Sequence, residues 1–87
     1  MTLEFLNPSR SFDEERNAIR FIGHDGMFEV RFFMETAALA RPGQARLSEK
    51  DLLAAFDSVR SSIHDVARKA YSQGRRTSYT LTVADFR

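Results

Sequence analysis

Eighty-seven residues with 13 basic side chains, 12 acidic ones and no cysteine give a net charge of +1. That length supports one hydrophobic core and no second, so residues 1–87 read as a single domain. The charge balance makes no global case for nucleic acid, and the lack of cysteine excludes disulfides, thiolate metal sites and cysteine nucleophiles.

A hydrophobic content of 43% argues against disorder. The N-terminal MTLEFLNPSR carries an acid and a proline where a signal peptide needs an apolar run. No stretch approaches the roughly 18 apolar residues of a membrane span. The expectation is a cytoplasmic protein that makes no contact with membranes.

Residues 3–6 predict a short first strand, stopped by Asn7-Pro8. Residues 9–16 are polar apart from Phe12 and read as a loop or single turn. Residues 18–22 and 27–34 are β-rich runs around Gly23-His24-Asp25-Gly26, which signals a hairpin. A two-residue Asp25-Gly26 turn sets Phe21 opposite Val30 and Arg20 opposite Arg31. A four-residue loop sets Phe21 opposite Phe28 and Arg20 opposite Glu29, replacing a like-charge pair with an attractive one. The second register is the expected one. Both put Ile19, Phe21, Phe28, Val30 and Phe32 on the core face, because the two differ by an even slip.

Residues 35–40 predict a brief helix that ends before Pro42, and residues 41–47 a loop. From Ser48 to Gly74 the pattern is one long amphipathic helix. Leu52, Phe56, Val59, Ile63, Val66 and Ala70 fall within about 40° of one direction at 100° per residue. Ser48 caps the start, with Leu47 as a hydrophobic staple on Leu52, and Gly74 is a left-handed stop. Residues 77–83 make a last strand with Tyr79, Leu81 and Val83 on its buried face. The expected fold is α+β: a small, antiparallel-rich sheet of about four strands in β-β-β-α-α-β order, packed against that helix.

No catalytic, cofactor-binding or metal-binding set emerges, which points away from an enzyme. Ser62 and His64, two apart on a helix, point away from each other, and Asp57 is about 10.5 Å along the axis from His64. His24-Asp25 at a hairpin tip serves turn chemistry sooner than zinc, which needs three or four convergent ligands. The helix flank of Leu53, Arg60, His64 and Tyr71 mixes apolar bulk with polar tips. It fits the rim of a pocket or interface, or simply a sheet wider than the seam. Arg68, Lys69, Arg75 and Arg76 form a basic cluster that suits an anion or RNA phosphate, or only the helix C-terminus.

Ile22, Met27 and Phe33 fall on the outer hairpin face, interleaved with Arg20, Glu29 and Arg31. Three apolar residues on so small a face resemble a self-association patch. The expected function is therefore a non-enzymatic interaction module, self-associating as a homodimer through the outer face of the 18–34 hairpin. The alternative is a weak nucleic-acid binder using the basic cluster, with Arg75 and Arg76 at its centre.

The segments Phe12-Asp13, Phe21-Ile22-Gly23-His24-Asp25-Gly26, Phe32-Phe33, Leu53-Ala54-Ala55-Phe56-Asp57, Gly74-Arg75-Arg76, Tyr79-Thr80-Leu81 and Asp85-Phe86, with Arg60, Ile63 and Tyr71, carry a resemblance. With them the chain resembles a family of short bacterial proteins classed only as a domain of unknown function. The resemblance implies a small α+β domain and brings no activity, cofactor or catalytic residue.

Overall fold

The computed structural model describes residues 3–5, 10–39, 48–74 and 76–86. Four strands form one mixed sheet in the order β1-β2-β3-β4, made of β1 (Arg10–Asp13), β2 (Ala18–Asp25), β3 (Phe28–Glu35) and β4 (Ser78–Leu81). The first three run antiparallel, and β4 lies parallel to β3 after a helical crossover. The crossover holds a 3-10 turn at Thr36–Ala38 and helices α1 (Glu49–Ser58) and α2 (Arg60–Gln73). A second 3-10 turn spans Val83–Phe86 and takes Val83 out of the expected last strand. The α+β architecture is as expected, and its sheet is mostly antiparallel. The expected loop at 41–47 and the Leu47 staple lie outside the described residues.

The expected strand at residues 3–6 is reduced, among the described residues, to a bridge. Glu4 and His24 exchange two backbone hydrogen bonds of 2.7 Å. The first strand is instead β1, within a stretch that reads as a loop. Its turn to β2 closes through Asn17, whose φ of 50° is the left-handed conformation asparagine tolerates, and through the Asp13 carboxylate accepting the Arg16 N–H at 3.2 Å.

The hairpin register matches neither expected alternative. Asp25 pairs with Phe28, Phe21 with Phe32, and His24 with Glu29, so the two turn residues are Gly26 and Met27. Gly26 alone of these takes a positive φ, +61°, which places the glycine first in the turn. A turn led by Asp25 would force the left-handed strain onto aspartate. The slip remains even, so the faces are kept: Ile19, Phe21, Val30 and Phe32 of the expected core set are buried, joined by Met34, whereas Phe28, expected among them, is exposed. Gly23 sits opposite Val30 beneath Leu3 and Phe5, and a Cβ there would lie 3.0 Å from each.

The single long helix is broken at Val59, whose φ of −122° and ψ of 22° end α1 and precede α2. The Ser58 hydroxyl donates to the Ala55 carbonyl at 2.8 Å, the acceptor Val59 N–H would use in a continuous helix. The Val59 N–H goes instead to Phe56 O at 3.2 Å, a tighter 3-10 step. Val59 is 43% exposed rather than part of the seam.

Beyond the break the apolar face is re-phased. Leu52 and Phe56 are buried from α1, and Ile63, Ala67 and Tyr71 from α2. Relative to the expected Val59, Ile63, Val66 and Ala70 line, that is a rotation of roughly 60–70° at 100° per residue. Val66 and Ala70 are half-buried beside the core. The Ser48 cap holds, accepting the Asp51 N–H at 3.2 Å, whereas Gly74 has an extended backbone rather than a left-handed stop.

Candidate functional site

Among the described residues, the helices cover one face of the sheet and make no core contacts on the other. Cross-strand rows on that outer face run Asp13-Ala18-Glu35, Ser11-Arg20-Phe33-Thr80, Ile22-Arg31-Ser78 and Glu4-His24-Glu29. The expected exposed trio divides there. Phe33 is buried, at 6% exposure, with the Arg16 guanidinium 4.0 Å above its ring. A cation over an aromatic face is favourable, and the arginine stem shields the ring from water. Ile22 is half-buried, and Arg20 and Arg31 are exposed. Phe33 therefore cannot anchor a partner on this face as expected.

Met27 is 98% exposed, and Phe28 beside it 76%. Strand alternation puts Phe28 on the helix side of the sheet, but it sits at the turn end, opposite Asp25, which α2 reaches through Tyr71. Strand alternation gives no sign of this, because it does not say where the covering helix ends. Asp25 is buried and accepts a 2.5 Å hydrogen bond from the Tyr71 hydroxyl. Its role is to tie the hairpin end to α2 rather than to shape the turn as expected.

The helix flank is absorbed mostly by the sheet and the N-terminal segment. Tyr71 is buried, and Leu53 is half-buried against the core. His64 stacks flat on Phe5, with ring centroids 3.9 Å apart and planes within 6°. Arg68 sits 5.2 Å over the same Phe5 ring and donates to the Leu3 carbonyl at 3.3 Å. Burial, then the charges of Arg68 and Arg60, pushes the His64 imidazole down to about 4, with Asp65 opposing.

Asp57 accepts both Nε and Nη2 of Arg10, at 2.9 and 2.7 Å, and Nη2 of Arg60 at 2.5 Å. The Arg10 bonds first, then that from Arg60, hold its carboxyl below the ordinary carboxylate range. A bidentate clamp 47 positions apart in sequence leaves no spacing signal, and it fastens edge strand β1 to α1.

One member of the basic cluster is drawn into the fold. Arg68 is engaged by Asp65 at 3.1 Å and by the N-terminal segment. Lys69 and Arg76 are exposed, and Arg75 lies outside the described residues. Arg76 borders a cleft of about 440 Å³ between the end of α2 and β4, with Gln73, Ser78, Thr80 and Asp85 also on its walls. Among the described residues, no three histidine, aspartate or glutamate side chains are grouped to hold a metal ion.

A family model described as a protein of unknown function (DUF1488) matches residues 3–83. The chain belongs to this DUF1488 family. No curated protein and no solved structure matches it. The span takes in the Glu4-His24 bridge, the hairpin, both helices and β4, so the DUF1488 domain is this entire sheet-and-helix unit. No helix among the described residues is long and apolar enough to cross a membrane.

The DUF1488 fold should show one histidine-dependent pH response. His64 takes up its proton near 6.5 when unfolded and near 4 when folded. Between those values the unfolded chain binds more protons, so stability falls as pH drops from 6.5 to 4 and loses nothing further to this group below 4. Urea titrations across that window should show the loss, and His64→Gln should flatten it. An unchanged slope in the variant would assign the acid sensitivity elsewhere.

Proposed function

We propose that this chain is a small, non-enzymatic interaction module that holds a partner protein at the tip of its β2–β3 hairpin. The observation that carries the reading is the exposure of Met27 and Phe28, adjacent at the hairpin tip. Methionine and aromatic residues are enriched at interface cores, and an aromatic anchor loses little conformational entropy on binding. The Asp25-Tyr71 hydrogen bond ties the strand end behind them to α2, which favours a preorganised tip. The setting we assign is the bacterial cytoplasm. A nucleic-acid role has thinner support, because Arg68 is engaged within the fold and a net charge of +1 offers phosphates little.

The test compares the native chain with Met27→Ser/Phe28→Ser as immobilised baits in extracts of the source cell. Both side chains are exposed, so the variant should unfold at the native temperature. A partner retained by the native chain and lost from the variant is the expected result. Identical retention by both would remove the hairpin tip from the function.

A further inference from the structure

We infer that Met27 is a redox modification site, where hydrogen peroxide converts the thioether to its sulfoxide and so releases the partner from the hairpin tip. The inference rests on the tip being the docking surface proposed above. The chain has three methionines and no cysteine, so peroxide meets no thiol and thioethers are its sulfur targets. Met27 is 98% exposed, whereas Met34 is 1% exposed and registers in the sheet between Ile19 and Leu81. Met1 lies outside the described residues. An oxidant reaches Met27 in the native fold and reaches Met34 only when the sheet opens. Location alone makes the reaction selective.

Peroxide delivers one oxygen atom to Sδ of Met27. The O–O bond breaks as the S–O bond forms, sulfur loses two electrons, and the second oxygen leaves as water. A polar, chiral sulfoxide then stands where a flexible apolar chain stood. The fold tolerates the change, because this side chain already lies in water and the positive φ of the turn belongs to Gly26. Docking does not. A partner that buries Met27 beside Phe28 must strip water from the S–O group, and an apolar socket offers it no donor. Reversal takes a sulfoxide reductase, which carries the oxygen off as water while two thiols become a disulfide. This chain has no thiol to give, so the reductant comes from outside. The exposure that admits peroxide also leaves the sulfoxide within reach of that enzyme.

Tryptic peptides 1–10, 21–31 and 32–46 carry one methionine each, so mass spectrometry follows the three separately. In millimolar peroxide Met27 should oxidise at least about tenfold faster than Met34, and the product should unfold at the native temperature. Native, oxidised and repaired chains then serve as baits in gel-filtered extract of the source cell, whose reductases lack their electron donor. The probe is the protein that the native bait retains and Met27→Ser/Phe28→Ser loses. Its retention should fall at least about tenfold on the oxidised bait. Treatment with sulfoxide reductases for both epimers and dithiothreitol should restore it. Met27→Leu, at whatever level it binds, should show no change with peroxide. Equal oxidation of Met27 and Met34, or full retention by a bait oxidised at Met27, would overturn the inference and leave tip docking standing. A peroxide effect that persists in Met27→Leu would overturn it too. A native bait that holds nothing the double variant loses would remove the docking surface itself, and this inference with it.

Discussion

Phe56→Ala is expected to cost about 3–5 kcal/mol, while Val59→Ala, three residues on, should change stability by no more than about 0.5 kcal/mol. Phe56 is 1% exposed, with its ring 5.3 Å from Phe21 and the Arg60 guanidinium 5.7 Å from its own centroid. Truncation removes aromatic area from the middle of the core, and neighbours on a sheet and two helices cannot collapse into the gap. Domains have only about 5–15 kcal/mol in hand, so the variant stands near its unfolding limit at ambient temperature. Val59 occupies the joint between helices, where its methyl groups are already wet. Urea unfolding followed by circular dichroism measures both. Similar losses at 56 and 59 would mean that the two helices are one in solution and that Val59 faces the core.

That contrast also marks where the sequence is legible. Leu52 and Phe56 are buried as their spacing predicts, because burial of an apolar stripe is the main reason such a helix forms. The break at Val59 is invisible to a periodic pattern. At the break the Ser58 hydroxyl takes the Ala55 carbonyl, and serine in a helix does so only in some settings. The later re-phasing toward Tyr71 follows from the break and so could not be anticipated either. The hairpin faces were fixed by strand alternation, but the register turned on which residue bears the positive φ. Charge pairing favoured Arg20 opposite Glu29, and the backbone preference of Gly26 prevailed.

Edge strand β1 escaped for a related reason. Its one apolar residue, Phe12, gives no alternation, and what secures it is pairing with β2 and the Arg10 clamp on Asp57. The surface residues were harder still. Ile22, Met27 and Phe33 look equivalent in sequence, yet Arg16 covers Phe33 from the neighbouring turn while nothing comparable reaches Met27 among the described residues. Exposure of a side chain is a property of what folds over it, and those contacts are long-range.

Tyr71→Phe is expected to cost about 1–3 kcal/mol although it deletes a single oxygen. The phenol and the Asp25 carboxyl are both buried, 46 residues apart, and joined at 2.5 Å. Phenylalanine keeps the ring and its edge contact with Tyr79, whose centroid is 6.3 Å away, so the loss is polar rather than steric. The carboxyl left behind loses its phenolic donor in a site that water reaches poorly, and that desolvation sets the size of the effect. Tyr71 makes further interactions, so the single variant alone does not isolate this pair. A double-mutant cycle with Asp25→Ala does: the two losses should fall short of additivity by at least about 0.5 kcal/mol. The cycle also reaches the hairpin. With the anchor cut, amide exchange at Met27 and Phe28 should quicken, because the strand end then depends on its ladder bonds alone. Additive losses with unaltered exchange would show that the tip holds its shape without α2.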